Sequence, residues 1–139
     1  MKFELKTEIL IHASSEKIWS ILTNFEKYPE WNPFVKSLQG EVKVGEKIKV
    51  ELPSMNFKPK VLIYKKENEF TWLGHFLFPG LFDGRHQFYI KDNANGTCTF
   101  YHSEKFAGIL VPIFKKTLET KIIRGFEEMN LKLKLKSEE

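Results

Sequence analysis

Residues 112–136 read PIFKKTLETKIIRGFEEMNLKLKLK, and the period of this stretch decides the fold. From Pro112, which suits a first helical turn, Phe114, Leu118, Ile122, Phe126, Met129 and Leu133 recur every three or four positions. That spacing makes one apolar face of an amphipathic helix. Two features oppose it. Gly125 inside a helix costs about 1 kcal/mol relative to alanine, and the tail LKLKLK alternates as a strand would. No breaker separates the tail from the helical pattern, so the spacing predicts one long helix that frays before Ser137.

Most of the chain upstream has the other period. Phe3, Leu5, Thr7, Ile9 and Ile11 share one face of a strand over 3–11, and Lys2, Glu4, Lys6 and Glu8 share the other. Ser14 or Ser15 can cap the helix that follows, which carries Ile18, Leu22 and Phe25 at helical spacing. Pro29 and Pro33 in EKYPEWNPF then give a second short helix or turn leading into a loop. Six more strands are predicted near 35–42, 46–53, 58–66, 69–77, 84–92 and 97–107, with Asn95-Gly96 the strongest hairpin signal.

The order predicts a single α+β domain over residues 1–139. Its core is a curved antiparallel sheet of about seven strands, with two short helices after strand 1. The apolar face of such a sheet must be covered, and the C-terminal helix is the only element large enough. The sheet is therefore expected to wrap around that helix.

The totals narrow the function classes. Of 139 residues, 22 are Lys or Arg and 18 are Asp or Glu, a formal charge of +4. The signs are mixed along the chain, without the concentrated basic stripe of a nucleic-acid binder. One cysteine, Cys98, allows neither a disulfide framework nor a cysteine zinc cluster. The alternating N-terminal stretch does not read as a signal peptide, and no run approaches a membrane span. A cytoplasmic protein is expected, monomeric or dimeric. Thirteen Phe, four Tyr and three Trp suit either an aromatic core or an apolar ligand pocket.

Strand parity identifies the candidate site. His86, Phe88 and Ile90 share a face in FDGRHQF and the residues after it, and the opposite set, Arg85, Gln87 and Tyr89, is more polar. His86 is therefore expected to point inward. On the next strand Phe100, His102, Glu104 and Phe106 share a face. A lone buried carboxylate is costly, so His86 and Glu104 are expected to meet from neighbouring strands. The pattern leaves two readings open: a satisfied structural pair at the edge of a filled core, or the polar end of a pocket. His75 and His86 do not converge, and no spacing matches a metal site. No serine elbow or activated cysteine is present, and no cofactor is implied.

Four stretches carry a resemblance: ILIHASSEKIWSILTNFEKYPEWNPFV (9–35), VGEKIKV (44–50), WLGHFLFPGLFDGRHQFYI (72–90) and GTCTFYHSEKFAGILVPIF (96–114). In order and spacing the chain resembles the START-like, helix-grip superfamily (SRPBCC), in its polyketide cyclase/dehydrase and lipid transport branch. The resemblance implies that sheet and helix enclose a cavity. Trp72, His86, Phe88, His102, Glu104 and Phe106 would line it. Trp31 and Phe34 in one loop and Phe82 in another would rim its mouth, and Leu110 and Ile113 would close one side.

Three functions follow as expectations. The first is binding and transport of a small hydrophobic or amphipathic molecule, with its polar end at His86 and Glu104. The second is a cyclase or dehydratase in which His86 is the general base and Glu104 the general acid. The third is a peripheral membrane module, with Lys115, Lys116, Lys132, Lys134 and Lys136 meeting anionic lipid.

Overall fold

The computed structural model describes residues 2–139. Eight strands form, rather than about seven: β1 (Lys2–Ile11), β2 (Ser37–Gln39), β3 (Lys49–Glu51), β4 (Asn56–Phe57), β5 (Lys60–Lys65), β6 (Glu69–His75), β7 (Asp83–Asp92) and β8 (Cys98–Ala107). Five of them make an antiparallel sheet in the order β1-β8-β7-β6-β5, and β2-β3-β4 make a smaller one. The extra strand is β4, between the runs predicted over 46–53 and 58–66. It lies just before the second run, and Pro59, which has no N–H to offer a ladder, separates it from β5, which fills that run itself.

The two sheets meet along one seam. Gly45 N–H donates to Val61 O at 2.9 Å, Val61 N–H to Glu46 O at 2.9 Å and Ile48 N–H to Pro59 O at 3.0 Å. β2 and β3 are shorter than the runs predicted at 35–42 and 46–53. A turn with Glu46 N–H on Lys43 O, and Gly45 at φ +93°, takes up the residues between them.

Ser14 caps α1 (Ser15–Leu22), its hydroxyl accepting from Lys17 N–H, and Ile18, Trp19 and Leu22 turn inward. A single 3-10 turn leads to α2 (Tyr28–Trp31), so both short helices form. Tyr28 is fully buried with its hydroxyl donating to Leu22 O, and burial pushes its pKa upward.

The C-terminal helix runs unbroken for 27 residues, as α3 (Val111–Thr117), a π-helical turn (Leu118–Ile122) and α4 (Ile123–Ser137). α4 packs on β1, β8 and α1. Leu118, Phe126, Met129 and Leu133 are buried, each side chain of this kind contributing roughly 1.5–3 kcal/mol. The tail LKLKLK is helical: Leu133 and Ser137 face inward four residues apart, while Leu131 and Leu135 face solvent. The expected fraying before Ser137 does not occur, because the end is tied down. The Glu138 carboxylate accepts from His12 N–H at 2.8 Å and from Lys134 Nζ at 2.6 Å. These contacts, the His12 N–H foremost, hold its pKa down to about 2. Lys134 also donates to Leu10 O at 2.8 Å.

Candidate functional site

β7 and β8 pair with His86 directly opposite Glu104. Both strands follow the predicted parity, with His86, Phe88, His102 and Phe106 buried on the concave face. From Glu104 a line of polar contacts runs inward. Glu104 Oε1 lies 2.9 Å from His86 Nδ1, and His86 Nε2 lies 2.7 Å from His102 Nε2. His102 Nδ1 lies 3.0 Å from Asn130 Oδ1 on α4, and Asn130 Nδ2 donates to Thr7 Oγ1 at 2.8 Å. Thr7 Oγ1 donates to the His102 carbonyl at 2.7 Å.

The far end of this line sets its protons. A carbonyl only accepts, so the Thr7 hydroxyl spends its proton on His102 O and must accept from Asn130. Asn130 Oδ1 therefore accepts from His102 Nδ1–H. Burial, followed by the neighbouring His86, pushes the His102 pKa well below 6.5, against smaller upward contributions from Asn130 and the Phe126 backbone. The ring is neutral, and its Nε2 must accept from His86 Nε2–H. One proton then remains between His86 Nδ1 and Glu104 Oε1. Whether it sits on nitrogen or oxygen, the pair carries no net charge into the interior.

Aromatic rings enclose this line. His86 stacks on Trp72 with centroids 4.8 Å apart and planes 19° apart, and Phe34 lies parallel to it at 5.8 Å. His102 stacks on Phe126 at 4.1 Å. Phe34 is placed by the WNPF loop. Asn32 Oδ1 accepts from Phe34 N–H at 3.0 Å and from Val35 N–H at 2.9 Å, an Asx turn that fixes the backbone. The ring reaches the helix at Gly125, where a β-carbon would lie only 2.6 Å from Phe34 Cδ1. That contact accounts for a glycine inside a helix.

On the other side of Phe34 is a cavity of about 420 Å³. Its walls are mostly apolar: Phe34, Phe82 and Phe106, then Leu118 and Ile122 from the two ends of the π-helical turn. Leu52 and Met55 in the turn between β3 and β4, and Phe57 on β4, add to the wall. Glu104 reaches this wall, its side chain 14% exposed, whereas the His86 side chain is 2% exposed. Gly84 makes the room, since a β-carbon there would lie 2.1 Å from Glu104 Oε2. His75 sits at the rim, its Nδ1 2.7 Å from Asp83 Oδ1, and does not meet His86.

The structure thus brings Phe34, Phe82, Glu104 and Phe106 of the expected set to the cavity. It places Trp72, His86, Phe88 and His102 in the packed layer behind: Phe34 lies against His86 and His102, and Trp72 and Phe88 pack on His86. Trp31 packs edge-on against Tyr28, Leu110 precedes α3, and Ile113 is 71% exposed, so none of the three lines the cavity. Of the five lysines, Lys115 lies 3.9 Å from Glu119 and over the Phe3 ring, and Lys134 is held by Leu10 and Glu138.

Sequence reasoning missed Asn130 and Gly84. A signal existed for the first: Asn130 falls four residues after Phe126 and three before Leu133, on the buried face. A polar groove of about 520 Å³ crosses the outside of the small sheet between Ser37, Lys49, Glu51 and Lys58. It holds no convergent aromatic groups, and its Ser37 and Glu51 hydrogen-bond each other. Among the described residues, no group of three or more His, Cys, Asp or Glu is disposed to hold a metal ion, and no helix is long and apolar enough to cross a membrane.

A curved antiparallel sheet closed on a long C-terminal helix, with a hollow between them, is a helix-grip fold of the START-like class. Residues 2–138 match the family described as polyketide cyclase/dehydrase and lipid transport, and the chain belongs to that family. Solved structures show the same fold. A hypothetical protein, jhp0584, from Helicobacter pylori superposes with a TM-score of 0.82 at 12% identity, over 97% of this chain and 88% of that one. A START superfamily protein from Mycobacterium smegmatis gives 0.71 at 18% identity, over 97% of both chains. The di-domain ARO/CYC StfQ of the steffimycin biosynthetic pathway gives 0.77 at 12% identity, over 99% of this chain and 52% of that protein, about half its length. No curated protein matches the sequence.

Proposed function

We propose that the protein binds and carries a small hydrophobic or amphipathic molecule in the cavity bounded by Phe34, Phe82, Phe106, Leu118 and Ile122. The observation that carries this reading is the hollow itself: about 420 Å³, mostly apolar, with one carboxyl on its wall. Pockets for small ligands have this size and this sparing use of polar groups. Trp72, His86, Phe88 and His102 act from behind, holding Phe34 and Glu104 in place. Cys98 is buried and unpaired, as suits a reducing, cytoplasmic location. The test is mass spectrometry of whatever co-purifies, together with thermal-shift titration of long-chain alcohols, isoprenoids and flavonoids. A bound small molecule, or a rise in Tm with one class, supports the reading. An empty protein that no class stabilises defeats it.

The polar line behind Glu104 favours a second reading, an acid–base enzyme of the cyclase or dehydratase kind. His86 is shielded from the cavity, so Glu104 rather than His86 would exchange a proton with the substrate, and His86 would hold that proton in reserve. If a substrate is turned over, Glu104→Gln should slow it by about 10²–10⁴. A loss below tenfold contradicts this reading.

A further inference from the structure

The cavity has one strongly polar feature, and its chemistry selects among ligands. Glu104 uses Oε1 on His86 and leaves Oε2 with no hydrogen-bond donor among the described residues. Oε2 lies over Gly84, at the wall of the hollow. No lysine or arginine lines that wall; its remaining polar side chains are Ser54, Thr117 and the rim residue His75, which Asp83 already engages. The site therefore offers a ligand an acceptor, and no cation.

Resting on the binding reading above, we propose that Glu104 makes the cavity selective for amphiphiles whose head is a neutral hydroxyl, and against those ending in a carboxylate. A hydroxyl donates to Oε2 and leaves the Glu104–His86 pair with its single proton and no net charge. A carboxylate head would bring an unpaired negative charge and a second acceptor against Oε2, in an apolar chamber whose wall holds no lysine or arginine. Repulsion of that kind is how a site rejects a close analogue of its ligand. An ammonium head could be accepted only if the pair released its proton, since otherwise the chamber would gain an unpaired positive charge. Gly84 and His86 are the positioning residues. Gly84 leaves space for the carboxyl, and His86 holds Oε1 so that Oε2 faces the ligand.

The experiment compares decanol, decanoate and decylamine, which share one chain and differ in the head. Binding to the intact protein near neutral pH is followed by isothermal titration and tryptophan fluorescence, with Tm recorded for every variant. Decanol is expected to bind most tightly, and decanoate on the order of 10²-fold more weakly. Glu104→Gln, which puts an amide able to donate where Oε2 only accepts, should recover most of that difference for decanoate. Gly84→Ala retains the carboxyl but puts a β-carbon where Oε2 lies, and should weaken decanol more than tenfold while narrowing the gap between the heads. If decanoate binds wild type as tightly as decanol, or if a folded Glu104→Gln keeps the wild-type ratio, the selectivity is overturned and the binding cavity still stands. If no head binds folded wild type, the selectivity is overturned, and the cavity reading falls with it when isoprenoids and flavonoids also fail to raise Tm.

Discussion

Phe34 presses against Gly125 so closely that a β-carbon on the glycine would sit 2.6 Å from Cδ1 of the ring. Two effects then compete in Gly125→Ala. Helix propensity favours alanine by about 1 kcal/mol, and overpacking a filled site costs about 1–3 kcal/mol. Overpacking should win, with a net loss of about 1 kcal/mol in urea denaturation. In a Phe34→Ala background the ring is gone, and the same Gly125→Ala change should become stabilising. A change of sign between the two backgrounds is the diagnostic result; a loss of equal size in both would place the strain elsewhere.

The same contact shows how far the sequence could be read. Parity along β7 and β8 was legible because the side-chain period of a strand is two, so the inward direction of His86, Phe88, His102 and Phe106 followed from their neighbours. The pairing of His86 with Glu104 followed from a carboxyl on an apolar face. What lay between that pair and the hollow was not legible. Phe34 reaches it from a loop, and its position depends on two hydrogen bonds to Asn32 Oδ1, which leave no periodic trace. The cavity walls supplied by Leu52, Met55 and Phe57 were hidden for a related reason. They lie on the β3–β4 hairpin, whose placement depends on the seam at 45–48 and 59–61, a long-range pairing.

Asn130 joins β1, β8 and α4 through the Thr7 hydroxyl and the His102 ring. Asn130→Leu keeps a similar volume but leaves the buried His102 Nδ1–H without an acceptor, while Thr7 Oγ1 keeps its bond to the His102 carbonyl. A buried donor left without a partner costs about 1–3 kcal/mol, and a loss in that range is expected in urea denaturation. Leu131→Asn, one residue on and half exposed, should change stability by less than about 0.5 kcal/mol. Similar losses from the two substitutions would mean that the buried line contributes nothing beyond helix propensity.

His102 also ties stability to pH. Its folded pKa lies well below the ordinary 6.5, because burial and His86 disfavour the charged ring. The unfolded chain therefore takes up a proton that the folded state refuses. The contribution is fully present above about pH 6.5 and is lost as pH falls from there toward the folded value, at up to about 1.4 kcal/mol per unit. The window is distinct from that of Glu138, whose stabilising contacts are lost below about 4.5 as pH falls toward about 2. Measuring ΔG of unfolding between pH 7 and pH 5 for wild type and His102→Gln should show the wild type losing more. Parallel curves would contradict a neutral, buried His102.

The binding reading makes a demand on Leu118, which lies where the π-helical turn meets the hollow. A π-turn inserts an extra residue into the helix and is often found at functional sites; here both of its end residues, Leu118 and Ile122, face the cavity. Leu118→Trp adds bulk at that wall. If the hollow is empty space held for a ligand, the indole should enter it, leave Tm within a few degrees of wild type and reduce decanol binding by at least about tenfold, since a filled pocket gives back the apolar burial that drives affinity. If the hollow were only slack in the core, filling it should instead raise stability, as cavity-filling substitutions commonly do by about 0.5–2 kcal/mol, with no ligand signal to lose in either protein. Paired measurement of Tm and decanol affinity therefore separates a space kept open for binding from one left by imperfect packing.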